Sequence, residues 1–168
     1  SLYTRLLSEA VAGIKHLQKG ERMPQVKRLP QTTVDLPINA LIPECYVSDV
    51  AVRLNLYHRI ADIKNEFELN NLTQEFNDRF GALPQEVKNL LFVVYIRLKA
   101  GMSGIKSIVT ENGTIVIRLL EGLQLDRQKT ARLPRTGITL GRTQLNIEYR
   151  KFGNDWGKAL EKVLDIIK

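Results

Sequence analysis

The chain has little of what several common classes of protein require. Its single cysteine, Cys45, cannot form an internal disulfide, and no other residue supplies a thiolate for a metal site. No apolar run approaches the roughly 18 residues of a membrane span, and the first residues lack the basic and apolar segments of a signal peptide. These absences predict a cytoplasmic protein without membrane contacts, in which Cys45 is a buried or half-buried side chain.

Groups suited to catalysis are equally scarce. His16 and His58 are the only histidines, and neither stands in a recognisable pairing with a nucleophile. The acidic residues show no spacing typical of a metal site. Gly101 and Gly104 are too close together for a phosphate-binding loop, which also follows a strand, whereas these follow a predicted helix. We therefore expect no catalytic residues, metal or cofactor in this chain, which opens on Ser1 and reads as a fragment of a longer protein.

Positive charge is in excess but unevenly placed. Lysine and arginine outnumber acidic residues by 25 to 18, whereas residues 49–80 carry four basic and six acidic side chains. A basic balance permits attraction to nucleic acid, although no aromatic residues are interleaved with the basic ones and no RNP or zinc-finger pattern is present. A basic nucleic-acid-binding accessory domain is therefore the alternative interpretation. Its candidate contacts are Arg127, Lys129, Arg132 and Arg135.

The amino-terminal part predicts a helix, a linker and a strand. Residues 1–20 have helical apolar spacing, and residues 21–31 contain two prolines and read as a linker. Residues 32–38 read as a strand, which Pro37 confines to an edge or a strand end. Residues 32–168 are expected to form a single domain, largely monomeric.

Three helices are predicted next. Ser48 is the expected N-cap of the first, whose apolar stripe is expected at Val50, Leu54, Tyr57 and Ala61. The second spans about 66–80 and ends at Gly81, and the third, over 87–98, is apolar nearly all round and should be buried.

Beyond Gly101 the apolar period changes from 3.6 to 2. Strands over 105–110 and 114–119 flank Asn112-Gly113, a dipeptide suited to a tight hairpin turn. A second hairpin is expected from 138–140 and 144–149, followed by a capped amphipathic helix. The predicted fold is α+β, with helices packed around a small, mostly antiparallel sheet containing β-hairpins.

One face of the second predicted helix is polar and mostly acidic. Glu68, Asn71, Glu75 and Asp78 recur at helical spacing beside the apolar line. Such a stripe is commonly a solvated face. Acidic groups near the carboxyl end of a helix are also poorly placed in its dipole, which arginines of a partner would relieve. Asp78 and Arg79 could instead fix the helix end.

Several ordered segments carry a family resemblance. They are Val34-Asp-Leu36, Ala40-Leu-Ile-Pro-Glu-Cys-Tyr-Val47, Arg53-Leu-Asn-Leu-Tyr-His-Arg-Ile-Ala61 and Asp78-Arg-Phe-Gly-Ala-Leu-Pro84. Together they resemble the C-terminal domain of the bacterial transcription-repair coupling factor (Mfd) family. The pattern departs from the family at Cys45, His58 and Asn77.

The resemblance implies a noncatalytic, autoinhibitory domain of a longer protein. The parent would be an ATP-dependent DNA translocase, using ATP and magnesium, that displaces stalled RNA polymerase and recruits nucleotide-excision repair. This domain would restrain it by lying against an intramolecular UvrB-like module and masking the surface that binds UvrA. The resemblance implies Glu75 and Asp78 in that contact, and the polar stripe and the end of its helix add Glu68, Asn71 and Arg79 as candidates.

Overall fold

The computed structural model describes residues 32–168, which contain five α-helices and one five-stranded sheet. The predicted helix over 1–20 and linker over 21–31 lie outside the described residues. The described residues fall into two compact units, one of residues 38–95 and one of residues 32–37 with 96–168. The predicted α+β class is confirmed, and a single domain over 32–168 stays a prediction.

The first unit is helical. It contains α1 (Val50–Asp62), α2 (Glu66–Phe80) and the amino-terminal part of α3 (Gln85–Met102). Its buried side chains come from all three helices and from the segment before α1, which makes one apolar core. The buried residues are Ile42, Val47, Leu56, Tyr57, Ile60, Ile63, Leu69, Leu72, Phe76, Val87, Leu90, Leu91, Val93 and Val94.

Two predictions about α1 are wrong. The N-cap is Asp49 rather than Ser48, because the Asp49 carboxylate accepts a hydrogen bond from the Val52 amide at 3.0 Å. The buried ridge consists of Leu56, Tyr57 and Ile60, with Val50 and Leu54 exposed. The helix is apolar on more than one side, so a register one position away satisfies the same helical period.

The predicted bounds of α2 are confirmed. Asn65 caps its amino end by accepting a hydrogen bond from the Glu68 amide at 2.9 Å. Gly81 ends the helix at a φ of 83°, and its amide donates to the Asn77 carbonyl at 3.0 Å. The apolar line is buried at Leu69, Leu72 and Phe76, while Phe80 is half-buried.

The second unit holds the sheet. Its strands are β1 (Thr33–Asp35), β2 (Ile105–Glu111), β3 (Thr114–Leu119), β4 (Ile138–Leu140) and β5 (Gln144–Ile147), in the order β1-β2-β3-β5-β4. β1 pairs with β2 in parallel and the other neighbours are antiparallel. β1 and β4 are therefore the edge strands, and the edge position expected for the strand before Pro37 is confirmed.

Both predicted hairpins are present. Asn112 and Gly113 join β2 to β3 with φ angles of 47° and 79°, the positive values that this dipeptide favours. β5 ends at Ile147, before the predicted 149, because the chain enters 3-10 turns over Tyr149–Asp155.

Two helices complete the second unit. The sequence did not predict α4 (Arg127–Thr130), which Asp126 caps. The final helix is α5 (Trp156–Ile167), and it buries Leu160, Val163 and Leu164 as expected. The helix was predicted to be capped, whereas Asp155 at its N-cap position makes no side-chain capping hydrogen bond.

Candidate partner-binding surface

The polar stripe of α2 lies on one flank of the helix, beside its buried ridge. Glu68, Asn71 and Glu75 line a shallow cavity of about 330 Å³ together with Arg59 and Asp62 of α1. Asp78 and Arg79 continue the stripe towards the carboxyl end and are exposed. The structure therefore brings the predicted residues onto one continuous surface of the first unit.

Glu75 is held by two arginines of its own chain. Arg59 donates to both carboxylate oxygens, at 2.7 and 2.5 Å, and Arg79 donates to Oε1 at 2.7 Å. These two guanidinium groups lower the pKa of Glu75 from 4.5 to about 2, with the Arg59 hydrogen bond as the largest cause. We call Arg59, Glu75 and Arg79 the arginine clamp. It fixes α1 against α2 and leaves little uncompensated negative charge at Glu75.

Glu68 has a local role at the start of α2. One carboxylate oxygen accepts from the Lys64 amide at 2.9 Å, and the other accepts from the Asn65 side-chain amide at 2.8 Å. Because Asn65 in turn accepts from the Glu68 amide, the two side chains form a reciprocal cap. Glu68 therefore stabilises the helix start as well as lining the cavity.

The remaining stripe residues are open to solvent. Asn71 and Asp78 are exposed, and within residues 32–168 neither side chain has an ion pair or hydrogen bond to a neighbour. Phe67 lies one turn before Asn71 on the same helix and is 73% exposed. Phe67 was not among the residues predicted from the sequence. Its position off the apolar line of α2 was the available signal, because an exposed aromatic side chain beside polar groups is typical of an interface.

The motif residue Tyr46 anchors the carboxyl end of α2. Its hydroxyl lies 3.0 Å from the Phe76 carbonyl oxygen and 2.8 Å from the Gly81 carbonyl oxygen, within donating distance of both. Its ring stacks on Phe76 and lies tilted against Phe80. Burial raises the pKa of Tyr46. Contacts between the segments 40–47 and 78–84 thus join the loop before α1 to the end of α2.

Two further motif residues hold the same loop. Arg53 donates to the Val47 carbonyl oxygen at 2.6 Å and to the Ser48 carbonyl oxygen at 2.9 Å. The Tyr57 hydroxyl accepts from the Ile42 amide at 2.7 Å. Tyr46, Arg53 and Tyr57 of the motif therefore maintain the architecture of the first unit.

The three departures from the family pattern lie on the surface. Cys45, His58 and Asn77 are all exposed. The prediction that Cys45 is buried or half-buried is wrong, because the apolar contacts of its segment are made by Ile42 and Val47 instead. His58, the residue after buried Tyr57, lies on the outer side of α1.

The four predicted nucleic-acid contacts do not all line the same groove. Arg127 and Arg135 line a groove of about 700 Å³ in the second unit, and Arg142, which the sequence analysis missed, lines it too. Lys129 instead donates to the Lys168 carbonyl oxygen at 2.6 Å. Arg132 is exposed and does not line the groove. Arg142 lies in the turn between β4 and β5, so only the hairpin prediction could have placed it there.

Within residues 32–168, no cluster of histidine, cysteine, aspartate and glutamate could hold a metal ion. No helix in that part of the chain is long and apolar enough to cross a membrane.

Comparison with known proteins gives one consistent family. The family model described as the TRCF domain matches residues 36–130. The transcription-repair-coupling factor of Haemophilus influenzae is 43% identical over 100 residues, which are 58% of this chain and 8% of that protein. That of Escherichia coli K12 is 37% identical over 119 residues, 69% of this chain and 10% of that protein.

A more distant relative matches nearly the whole chain. The transcription-repair-coupling factor of Bacillus subtilis is 26% identical over 176 aligned residues, covering 99% of this chain and 14% of that protein. The chain thus spans roughly a tenth of the length of the curated relatives it matches. A crystal structure of the C-terminal domain of transcription-repair coupling factor has the same fold, with a TM-score of 0.64 and 20% identity. The aligned region covers 80% of this chain and 94% of the chain in that crystal structure.

Proposed function

The chain belongs to the TRCF domain family, and from this premise we propose that it is a noncatalytic regulatory domain of a transcription-repair coupling factor. The longer protein would be a DNA translocase that hydrolyses ATP with magnesium, displaces stalled RNA polymerase and recruits nucleotide-excision repair. This domain would restrain that motor until it is engaged.

The restraint would act through the polar flank of α2. We propose that this flank lies against a UvrB-like module of the same protein and covers the surface that recruits UvrA. The observation that carries the proposal is the exposed set of Asn71, Asp78 and Phe67, on the helix whose sequence carries the family motif. An exposed carboxylate near one end of the helix and an exposed aromatic ring near the other suit a partner that presents arginines and a shallow apolar patch.

The arginine clamp changes the roles within this surface. Glu75 already accepts three hydrogen bonds from Arg59 and Arg79, so a partner's arginine would have to displace one of them. Asp78 is the carboxylate available to the partner, while Glu75 and Glu68 hold the helix in position. Arg79 stacks over Phe80 at 5.0 Å and offers its remaining donors at the rim.

A contact of this kind is weak enough to open. Exposed ion pairs contribute about 0.2 to 1 kcal/mol each and are weakened by salt. A closed arrangement held by a few such contacts can be shifted by a competing ligand whose preference for the open state is only modest. This suits a reversible latch better than a permanent interface.

The direct test is binding between this chain and the UvrB-like module, produced separately. Arginine at Asn71 and Asp78 should weaken binding, because it places positive charge against the partner's arginines. The matched control carries arginine at Asn70 and Asn77, which are exposed on the opposite flank of α2. Equal binding by the wild type and both variants would remove this flank from the interface.

A basic nucleic-acid-binding domain is the second candidate. It is supported by Arg127, Arg135 and Arg142, which line one groove. Nonspecific phosphate contacts alone release counterions and weaken steeply with salt, so submicromolar binding that persists at high salt would favour this role. Titration with short DNA at several salt concentrations separates this role from the latch.

A further inference from the structure

A groove in the second unit lies outside the proposed latch. It is lined by β4, by α4 and by the segments on either side of them, and it encloses about 700 Å³. Its size falls in the range of ligand-binding clefts. All its lining residues lie between 124 and 142, so it belongs to this unit alone.

The groove borders an open sheet edge. The Gly141 amide donates to the Gln144 carbonyl oxygen at 2.9 Å, and the Glu148 amide donates to the Gly137 carbonyl oxygen at 2.8 Å. The odd-numbered residues of this strand therefore form the hydrogen bonds to β5. The alternation of an antiparallel ladder then turns the amide and carbonyl groups of Ile138 and Leu140 away from β5. Within the described residues, no hydrogen bond reaches these groups from the outer side.

The same edge already accepts one backbone partner. The Leu125 amide donates to the Arg142 carbonyl oxygen at 2.9 Å, just beyond the end of β4. Arg142 lies in the turn between β4 and β5, and its carbonyl oxygen accepts this hydrogen bond from outside the hairpin. An extended chain laid along β4 would continue the ladder that Leu125 begins.

The charges around this edge are uncompensated. Arg127, Arg135 and Arg142 are exposed, and within residues 32–168 none of their side chains makes an ion pair or hydrogen bond. Three cations beside one strand discourage two copies of the chain from pairing edge to edge, because the like charges would meet. They favour a negatively charged occupant.

The residues that line the groove also favour a peptide over a nucleic acid as its occupant. Leu125, Leu133 and Leu140 supply apolar surface, and Leu140 is 44% exposed. The groove contains no aromatic side chain on which a base could stack. Unpaired backbone groups of a strand are matched by another peptide backbone, whereas a phosphate backbone offers no alternating donors and acceptors.

We propose that this groove binds an acidic peptide segment in extended conformation, which adds to the sheet at β4. Backbone hydrogen bonds to Ile138 and Leu140 would align the segment. Its carboxylates would meet Arg127, Arg135 and Arg142, and an apolar side chain would cover Leu140. The surface is distinct from α2, so this inference does not depend on the proposed latch.

The probe is a synthetic peptide of about six residues, typical of a strand, alternating glutamate and valine with both ends blocked. Its affinity for the full chain is measured by fluorescence anisotropy at several salt concentrations. Binding should weaken about tenfold on Arg135→Glu and again on Arg142→Glu, a change of roughly 1.4 kcal/mol each. Arg132→Glu is the matched control and should leave the affinity unchanged, since Arg132 lies outside the groove.

Two comparison ligands test the mode of binding. The same peptide with N-methyl groups on alternate amides should bind at least tenfold more weakly, because it cannot complete the ladder at β4. A lysine-valine peptide should not bind. Equal binding of the N-methylated peptide would overturn edge pairing, and equal binding of the lysine peptide would overturn charge selection. Absence of binding by the glutamate peptide, or its displacement by oligothymidylate, would overturn the proposal.

Discussion

The arginine clamp should contribute measurably to the stability of the first unit. Glu75→Gln keeps the shape of the side chain but removes the charge that Arg59 and Arg79 share. The glutamine amide would also turn a donor towards two guanidinium groups that themselves only donate. We therefore expect the free energy of unfolding to fall.

The size of this loss of stability follows from the lowered pKa of Glu75 and from the solvent exposure of the clamp side chains. A pKa lowered from 4.5 to about 2 corresponds to roughly 3 kcal/mol if the native state expresses all of it. Solvent screening reduces this, because the side chains of Glu75, Arg59 and Arg79 are 31%, 43% and 50% exposed. We expect a loss of about 1 to 2 kcal/mol at neutral pH, the upper end of exposed pairs, because Arg59 binds in a bidentate manner.

The sign of the pH dependence is fixed by the lowered pKa. The contribution of Glu75 is fully present above its unfolded pKa of 4.5 and is lost as the pH falls through about 2. The difference between wild type and Glu75→Gln should therefore shrink as the solution is acidified across that window. At neutral pH it should be constant.

Urea unfolding followed by far-ultraviolet circular dichroism, at several pH values, measures both quantities. Asp78→Asn is the control, since it removes an exposed carboxylate from the same helix, and it should change stability by less than about 0.5 kcal/mol. If Glu75→Gln is as stable as Asp78→Asn at neutral pH, the clamp adds no stability. A difference that grows on acidification would contradict the pKa assignment.

Three other expectations concern the fold and the ligands. Gly113→Val should destabilise by about 1 to 3 kcal/mol, because a β-branched residue is strained at a φ of 79°, whereas Gly113→Asn should be far milder; equal thermal midpoints would refute the turn assignment. Tyr46→Phe should cost about 1 kcal/mol, read from urea unfolding, through loss of the hydroxyl bonds to Phe76 and Gly81. DNA binding by the chain should be weak and salt-sensitive in a titration, and binding that persists at high salt would favour the nucleic-acid-binding alternative.

Local sequence patterns predicted an element correctly where its apolar residues fitted only one helical or strand register. The bounds of α2 followed from a single apolar line and Gly81, and the first hairpin followed from Asn112-Gly113. The apolar face of α1 was misassigned because that helix has apolar residues on several sides. The four-residue helix α4 is too short to show a period, and a three-residue strand gives no local signal of parallel pairing.

The candidate site was predictable as a surface but not as a network. Helical spacing placed Glu68, Asn71, Glu75 and Asp78 on one flank, and it also allows the pair of Glu75 with Arg79, four residues on. The Arg59 contact joins residues 16 apart on different helices, so only tertiary structure reveals it. For the same reason the sequence did not show that Glu75 is already neutralised.

The most direct test of the regulatory account is capture of UvrA by the full-length protein. Asn71→Arg with Asp78→Arg substitutes no residue of the arginine clamp and no buried residue, so the fold should be unchanged while the latch opens. We predict that this variant retains more UvrA than the wild type, and that the control with arginine at Asn70 and Asn77 does not. Equal retention by all three proteins, each shown to be folded, would contradict the claim that the polar flank of α2 restrains the parent protein.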